Sequence, residues 1–218
     1  MGLRGNLLGW VGLRAVCERE EGVMTRLLYQ KHGSYRLTAD DGRVIYVDPY
    51  AGKGYDVPAD LILVTHGHSD HNKIGKCAKK EGCRVITNEE ALAGGVHNSF
   101  DEGGIRIQAV EAANRNHDPE KCVGFIIELD GIKIYASGDT NKTKQMETFA
   151  ALGIDYALFP CDGFFNMGPE EAAECARIVG ARHNIIIHPK PGESILKKAE
   201  AWDGPGKLIL EPGDEIEL

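Results

Sequence analysis

The chain has 218 residues, 42% hydrophobic and 27% charged, with a formal charge of −8. That length suits one domain or two fused halves around a substantial core, and the acidic balance argues against a nucleic-acid or anionic-membrane partner. Six scattered cysteines with no CxxC pair fit reduced thiols in a cytoplasmic protein, and no apolar run approaches the ~18 residues of a membrane-spanning helix.

Residues 1–23 mix Leu7, Leu8, Trp10, Val11, Leu13 and Val16 with Arg4, Arg14 and several glycines. They lack the apolar centre and cleavage site of a signal peptide. The expectation is a peripheral extension, or sequence ahead of a natural start at Met24, followed by one domain over 24–218. From Arg26 the pattern is β. Leu27–Tyr29 reads as a strand, and Tyr35–Thr38 and Val44–Val47 flank the turn residues Asp40-Asp41-Gly42 as a hairpin. Leu61–Thr65 is a buried strand. Asp70 to about Lys80, with a basic last turn and Gly82 beyond it, reads as a helix. Arg84–Thr87 is a strand, Asn88 caps a short helix, and Ile105–Ala109 alternate as a strand.

The second half repeats this grammar. Val123–Leu129 and Ile132–Ala136 form a hairpin across Asp130-Gly131, the strongest turn signal in the chain. Lys142–Leu152 reads as helix and Tyr156–Phe159 as strand. A helix opens at Pro169 with Glu170 and Glu171 in its first turn. Ile185–Ile187 is a buried strand, 193–201 a helix, and Lys207–Leu210 a last strand. Hairpins followed by strand–helix units in both halves predict an α/β, four-layer αββα sandwich.

Thr65-His66-Gly67-His68-Ser69-Asp70-His71 follows the apolar run Leu61–Val64 directly, so it sits where a buried strand gives out into a loop. Three imidazoles and a carboxylate on one tight turn suit zinc or another first-row divalent ion. His66 and His68 alternate onto one side, while Asp70 and His71 lie past the bend. One turn could therefore supply two adjacent ions. The motif needs further donors, and His117, Asp139 and His188 all lie at strand ends. Each alone reads more readily as a loop histidine, a turn aspartate and a core histidine respectively, and only together do they complete the motif.

In this order the residues resemble the metallo-β-lactamase superfamily, from about Leu27 to the C-terminus. The resemblance implies His66, His68 and His117 as ligands of one metal, Asp70, His71 and His188 of a second, and Asp139 bridging them. Asp48 matches the family's structural aspartate. Histidine at position 68 is similar to the hydrolases rather than to the diiron reductases of the superfamily. Gly163-Phe164-Phe165-Asn166-Met167-Gly168-Pro169-Glu170-Glu171-Ala172 resembles the metal-dependent hydrolase branch that includes ascorbate-6-phosphate lactonase. His32-Gly33-Ser34 is similar to another element of that branch, with Lys31 in place of a glycine. His32 is therefore a candidate to face the substrate or brace a ligand, against a plain hairpin histidine.

Two divalent ions, zinc first with Mn²⁺ or Fe²⁺ as alternatives, would activate a water for attack on a carboxylic ester, lactone, thioester or phosphodiester of a small-molecule substrate. Asp70 would orient the nucleophile. Thr65, Ser137 and Thr140 are candidates to fix ligands through their hydroxyls. Asp162 and Asn166 read as pocket residues or, equally, as turn and capping residues. A nuclease or phosphodiesterase is the alternative enzyme, and a non-enzymatic metal-binding regulatory module the alternative class. The motif fixes a chemistry and leaves the substrate and the oligomeric state open.

Overall fold

Strands that are apolar at consecutive positions must be covered on both faces, and several strands of the second half are of this kind. A computed structural model describes residues 24–218 and shows what covers them. The first half of the chain supplies β1 (Arg26–Lys31), β2 (Ser34–Thr38), β3 (Val44–Val47), β4 (Ala59–Val64) and β5 (Lys79–Thr87), then a one-turn helix α1 (Asn88–Ala91). The second half supplies β6 (Ser99–Glu102), β7 (Ile105–Glu111), β8 (Val123–Leu129), β9 (Ile132–Ala136), β10 (Tyr156–Pro160), α2 (Pro169–Val179), β11 (His183–Ile187), α3 (Ile195–Ala201), β12 (Lys207–Leu208) and β13 (Glu215–Glu217).

These strands make two sheets. One is six-stranded, in the order β13-β1-β2-β3-β4-β5, and the other seven-stranded, β12-β11-β10-β9-β8-β7-β6. Within each, antiparallel hairpins pass into parallel strands: β3-β4-β5 in the first, β9-β10-β11-β12 in the second. The inner faces share one core, where Leu27, Leu37, Ile45 and Leu63 meet Phe125, Ile127, Leu158 and Ile185. The alternate residues Ile126, Phe159 and Ile186 point outward into a second core beneath α2, α3 and the 3-10 turns over Gln145–Leu152. The two-residue period of a strand thus splits each apolar run between two layers. Outside the first sheet, Val44, Tyr46, Ile62 and Val64 lie under Tyr55 and Cys77.

Local signals account for the joints. Asp130 and Gly131 both take positive φ, 50° and 77°, as a two-residue hairpin turn requires. Helix α2 begins on Pro169, buries Ala172, Ala173, Cys175, Ala176 and Val179, and stops at left-handed Gly180.

Several expectations need correction. Asp70–Lys80 is not a helix: a single 3-10 turn occupies Ile74–Lys76, and Lys79 and Lys80 already belong to β5. The backbone N–H groups a helix would use are taken elsewhere, Lys73 donating to Pro49 O and Ala78 to Tyr55 O. The residue before α1 is Thr87, and Asn88 is the first helical position. Lys142–Leu152 holds 3-10 turns rather than an α-helix. The polar edge strands β6 and β13 were not expected, and β12 ends at Leu208. Residues 1–23 lie outside the described residues, among which no helix is long and apolar enough to cross a membrane.

Candidate metal centre

Five strands end on the same rim, and the residue types that carry chemistry follow them directly. Asp48 comes after β3, Thr65 to His71 after β4, Asp139 after β9, Asp162 after β10 and His188 after β11. The carboxyl ends of parallel strands are where such folds build sites. The two sheets meet at this rim: Val123 N–H donates to Thr65 O at 2.9 Å, and His66 bridges to Cys122. Gly138, at φ +64°, allows the approach, because a Cβ there would lie 2.8 Å from Val123 O and 3.0 Å from Thr65 Cβ.

Two of the donor clusters hold the candidate ligands other than Asp139 between them. His66, His68 and His117 form one, and His32, Asp70, His71 and His188 the other, with donor atoms of each group within 4.8 Å of one another. Asp139 lies between them. Its Oδ2 is 3.4 Å from His117 Nε2 and 3.4 Å from His188 Nε2, and its Oδ1 is 3.5 Å from His71 Nε2. The split of His66 and His68 against Asp70 and His71 is incomplete in space, because Asp48, His66 and His71 form a third such cluster and the His66 ring lies 4.2 Å from that of His71 against 4.6 Å from that of His68. His97 and His183, to which no role was given, lie outside both groups.

Three of the four buried imidazoles are held from behind at Nδ1, while His188 Nδ1 has no hydrogen-bond partner. His66 Nδ1 is 3.0 Å from Thr65 Oγ1, His71 Nδ1 is 2.9 Å from Asp48 Oδ2, and His117 Nδ1 is 2.9 Å from Asn114 Oδ1. That leaves Nε2 facing inward. The Nε2 atoms of His66 and His117 are buried with no hydrogen-bond partner, and those of His71 and His188 face each other at 3.2 Å. Buried polar atoms left without a partner are costly. Imidazole nitrogens aimed into one space beside carboxylates are the donor set of a divalent transition metal. The residues fit such ions.

Electrostatics sort the protons. Burial, reinforced by His71, pushes His66 down to about 3. Burial likewise brings His188 down to about 4, with His32 and His71 adding to the effect and Asp139 opposing it. His71 goes the other way: burial opposes its charge, but Asp139 and Asp48 outweigh it and raise it to about 9. Asp139 is held well below the usual carboxylate range because its neighbouring imidazoles overcome its burial. Asp70 is held low chiefly by its hydrogen bond with His32. In the metal-free chain at neutral pH, His66 and His188 thus carry free lone pairs and both aspartates are anionic.

Of the hydroxyls expected to fix ligands, only Thr65 does, meeting Asp48 Oδ2 at 2.7 Å as well as His66. Ser137 Oγ donates to Gly138 O, and Thr140 Oγ1 to the carbonyls of Ala113 and Asn141. Asp162 is a turn residue whose Oδ1 accepts the N–H groups of Phe164, Phe165 and Asn166. Its Oδ2 accepts from Asn166 Nδ2 at 2.8 Å and lies 3.7 Å from His188 Nδ1. Asn166 Oδ1 accepts from Asn114 Nδ2 at 2.9 Å. Asn114 was missed by sequence reasoning, although an Asx residue three before a candidate ligand histidine was a readable signal. Beside the first donor group a cleft of about 610 Å³ is lined by His66, His68 and His117 together with Glu89, Asp118 and Glu120. That is room for a small molecule.

A rim of imidazoles and carboxylates on a two-sheet sandwich is the arrangement of a metallohydrolase. Residues 26–188 match the Beta-lactamase superfamily domain, and the chain belongs to the metallo-β-lactamase superfamily as a metal-dependent hydrolase. It is 30% identical to the UPF0173 metal-dependent hydrolase of Thermococcus onnurineus, over 89% of this chain and 100% of that one. With the UPF0173 metal-dependent hydrolase of Rubrobacter xylanophilus it shares 32% identity, over 88% and 96%. Its fold superposes on that of Igni18, a metallo hydrolase from Ignicoccus hospitalis, with a TM-score of 0.68 at 20% identity, covering 90% of this chain and 99% of that one.

Proposed function

We propose that the protein hydrolyses an ester-like bond of a small molecule (a carboxylic ester, lactone, thioester or phosphodiester) at a dinuclear centre. His66, His68 and His117 would hold one ion and Asp70, His71 and His188 the other, with Asp139 shared. The observation that carries this reading is the pair of donor groups with Asp139 within 3.5 Å of histidines in both. Two divalent ions in such a site supply a Lewis acid for the substrate oxygen and an acidified water as nucleophile. Zinc suits the imidazole-rich set, and manganese or iron would also be accepted.

The chain's own residues set the geometry. Asp70, half exposed and anionic, orients the nucleophile. Its depressed proton affinity makes it a weak proton acceptor, so orientation is its main part. Thr65 and Asp48 hold His66 and His71 in the tautomer that leaves Nε2 free. The carboxylates of Glu89, Asp118 and Glu120 along the cleft, beside a single Lys121, disfavour a polyanion such as nucleic acid.

The test is a zinc-loaded sample assayed against lactones, thioesters, carboxylic esters and bis-p-nitrophenyl phosphate, with metal content measured on the same sample. Two ions per chain and turnover of one class are expected. Turnover with one ion per chain would remove the dinuclear part of the reading, and no turnover with two ions bound would remove the bond class.

A further inference from the structure

We infer that His32 is itself a metal ligand, the third imidazole of the second donor group, and that the two ion sites therefore differ in coordination. This rests on the dinuclear reading above. His32 Nε2 lies 3.3 Å from Asp70 Oδ2, and His71 Nε2 lies 3.2 Å from His188 Nε2. Two donors on one ion at about 2.0–2.2 Å sit roughly 3.0–3.5 Å apart for bond angles between 90° and the tetrahedral value. Both separations fall in that range, and the donor atoms of His32, Asp70, His71 and His188 all lie within 4.8 Å of one another.

The backbone around His32 is built toward this site. His32 takes φ +59°, a left-handed conformation that a residue with a side chain rarely adopts. It is locked there by its carbonyl, which accepts from Tyr29 Oη at 3.1 Å and from His188 N–H at 2.9 Å. His188 is itself left-handed, at φ +55°. The next residue, Gly33, presses on the site so closely that a Cβ would lie 2.7 Å from His71 Cε1. The His32 ring is packed against His188, centroid to centroid 3.6 Å, and its side chain is 12% exposed. Backbone strain held by two hydrogen bonds, and serving to aim one imidazole, points to a function at that imidazole.

The consequence is an asymmetric centre. The first site draws on His66, His68, His117 and the shared Asp139. The second draws on His32, Asp70, His71, His188 and Asp139. Five protein donors suit a five- or six-coordinate ion, so the second site would depart from the tetrahedral coordination that four donors give the first.

The rival role is positioning, with His32 only hydrogen-bonding Asp70. His32→Gln separates the two, because the glutamine amide reaches about as far from Cα as Nε2 and can still donate to Asp70, yet is a poor ligand for these ions. The full chain is titrated with CoCl2 and followed by visible absorption, then crystallised with cobalt for anomalous diffraction. His32 Nε2 within about 2.4 Å of the second ion is expected. In both His32→Ala and His32→Gln the second equivalent should bind at least about tenfold more weakly with a changed d–d spectrum, the first equivalent being unaffected. Two ions with His32 beyond 3 Å, or recovery of the wild-type spectrum in His32→Gln, would overturn the inference and leave the dinuclear reading intact. One ion in total, held by His66, His68 and His117, would overturn both.

Discussion

Asp48 uses both carboxylate oxygens on other residues of the rim. Oδ1 accepts the Thr65 N–H at 2.8 Å, while Oδ2 takes the Thr65 hydroxyl at 2.7 Å and faces His71 Nδ1 at 2.9 Å. It thereby fixes the tautomer of a candidate ligand without being one. Asp48→Asn should weaken binding of the second ion by about 10–100-fold while leaving the first within a few-fold, as read by competition with a chromophoric chelator. Equal loss at both sites would argue for general disruption instead. Asp139 and, after it, Asp48 also set a pH dependence. His71 is raised to about 9 against an ordinary value of 6.5. In the metal-free chain its charge therefore adds stability that is complete below about pH 6.5 and lost as pH rises through about 9. An incoming ion has to displace that proton, so apparent affinity at the second site should climb about tenfold per pH unit up to about pH 9. Calorimetric titration at pH 7.5 in buffers of different ionisation enthalpy should find about one proton released per chain on filling that site. No release would contradict the assignment of His71. The candidate ligands were legible in the sequence because their chemistry lies in residue type and strand-end position. Asn114 was legible only as an Asx residue three before His117; its contact with Asn166 was not, since it joins loops 52 residues apart.

The loop between β10 and α2 is the element that ties the centre together. Asp162, buried beneath it, caps three consecutive N–H groups and leans toward His188, while Asn166 reaches Asn114 and, through it, His117. Arg115 Nη2 and Asn116 Nδ2 donate to the carbonyls of Phe164 and Phe165, so the loop before β8 is tied to the loop after β10. Removing the Asn166 side chain leaves Asp162 and Asn114 each short of a buried partner. Asn166→Ala should then cost about 1–3 kcal/mol in stability and about tenfold or more in affinity at the His117 site. Thermal unfolding and metal titration measure the two, and a fall in stability with metal affinity untouched would confine the loop to a structural part. Element by element, the sequence was readable where periodicity and turn chemistry agree, as in the β8–β9 hairpin and α2. It misled at Asp70–Lys80, where basic residues and a following glycine mimic a helix end. There Pro49 and Tyr55 from a distant loop claim the backbone N–H groups. Edge strands β6 and β13 were invisible for a related reason: Ser99–Glu102 and Glu215–Glu217 are mostly polar, and their neighbours in the sheet, not their own pattern, make them strands.

At the scale of the whole molecule, the donors come from both sheets. His32, His66, His68, Asp70 and His71 sit on connections of the first sheet, and His117, Asp139 and His188 on connections of the second. The shared core holds the sheets together along their inner faces, but at this rim the contacts are imidazoles and carboxylates at 3.2–3.5 Å from one another rather than packed carbon. Ions bound there would clamp the two sheets at the end where apolar packing gives out, and they would bind the folded chain alone, because the unfolded chain scatters the donors over more than 150 residues. Such ligands stabilise by mass action, about 2.7 kcal/mol per site at a free concentration of a hundred times Kd. For a chain of this size that corresponds to a rise in Tm of roughly 5–10 °C per ion. Differential scanning calorimetry with and without a chelator should show this rise, growing with metal concentration. Asp139→Ala, which removes the donor common to both sites, should lower metal content below two per chain and shrink the metal-dependent part of Tm more than the metal-free Tm itself. If chelation leaves Tm unchanged in the wild type while metal analysis confirms removal, the ions do not clamp the sheets, and the rim is held by its hydrogen bonds alone.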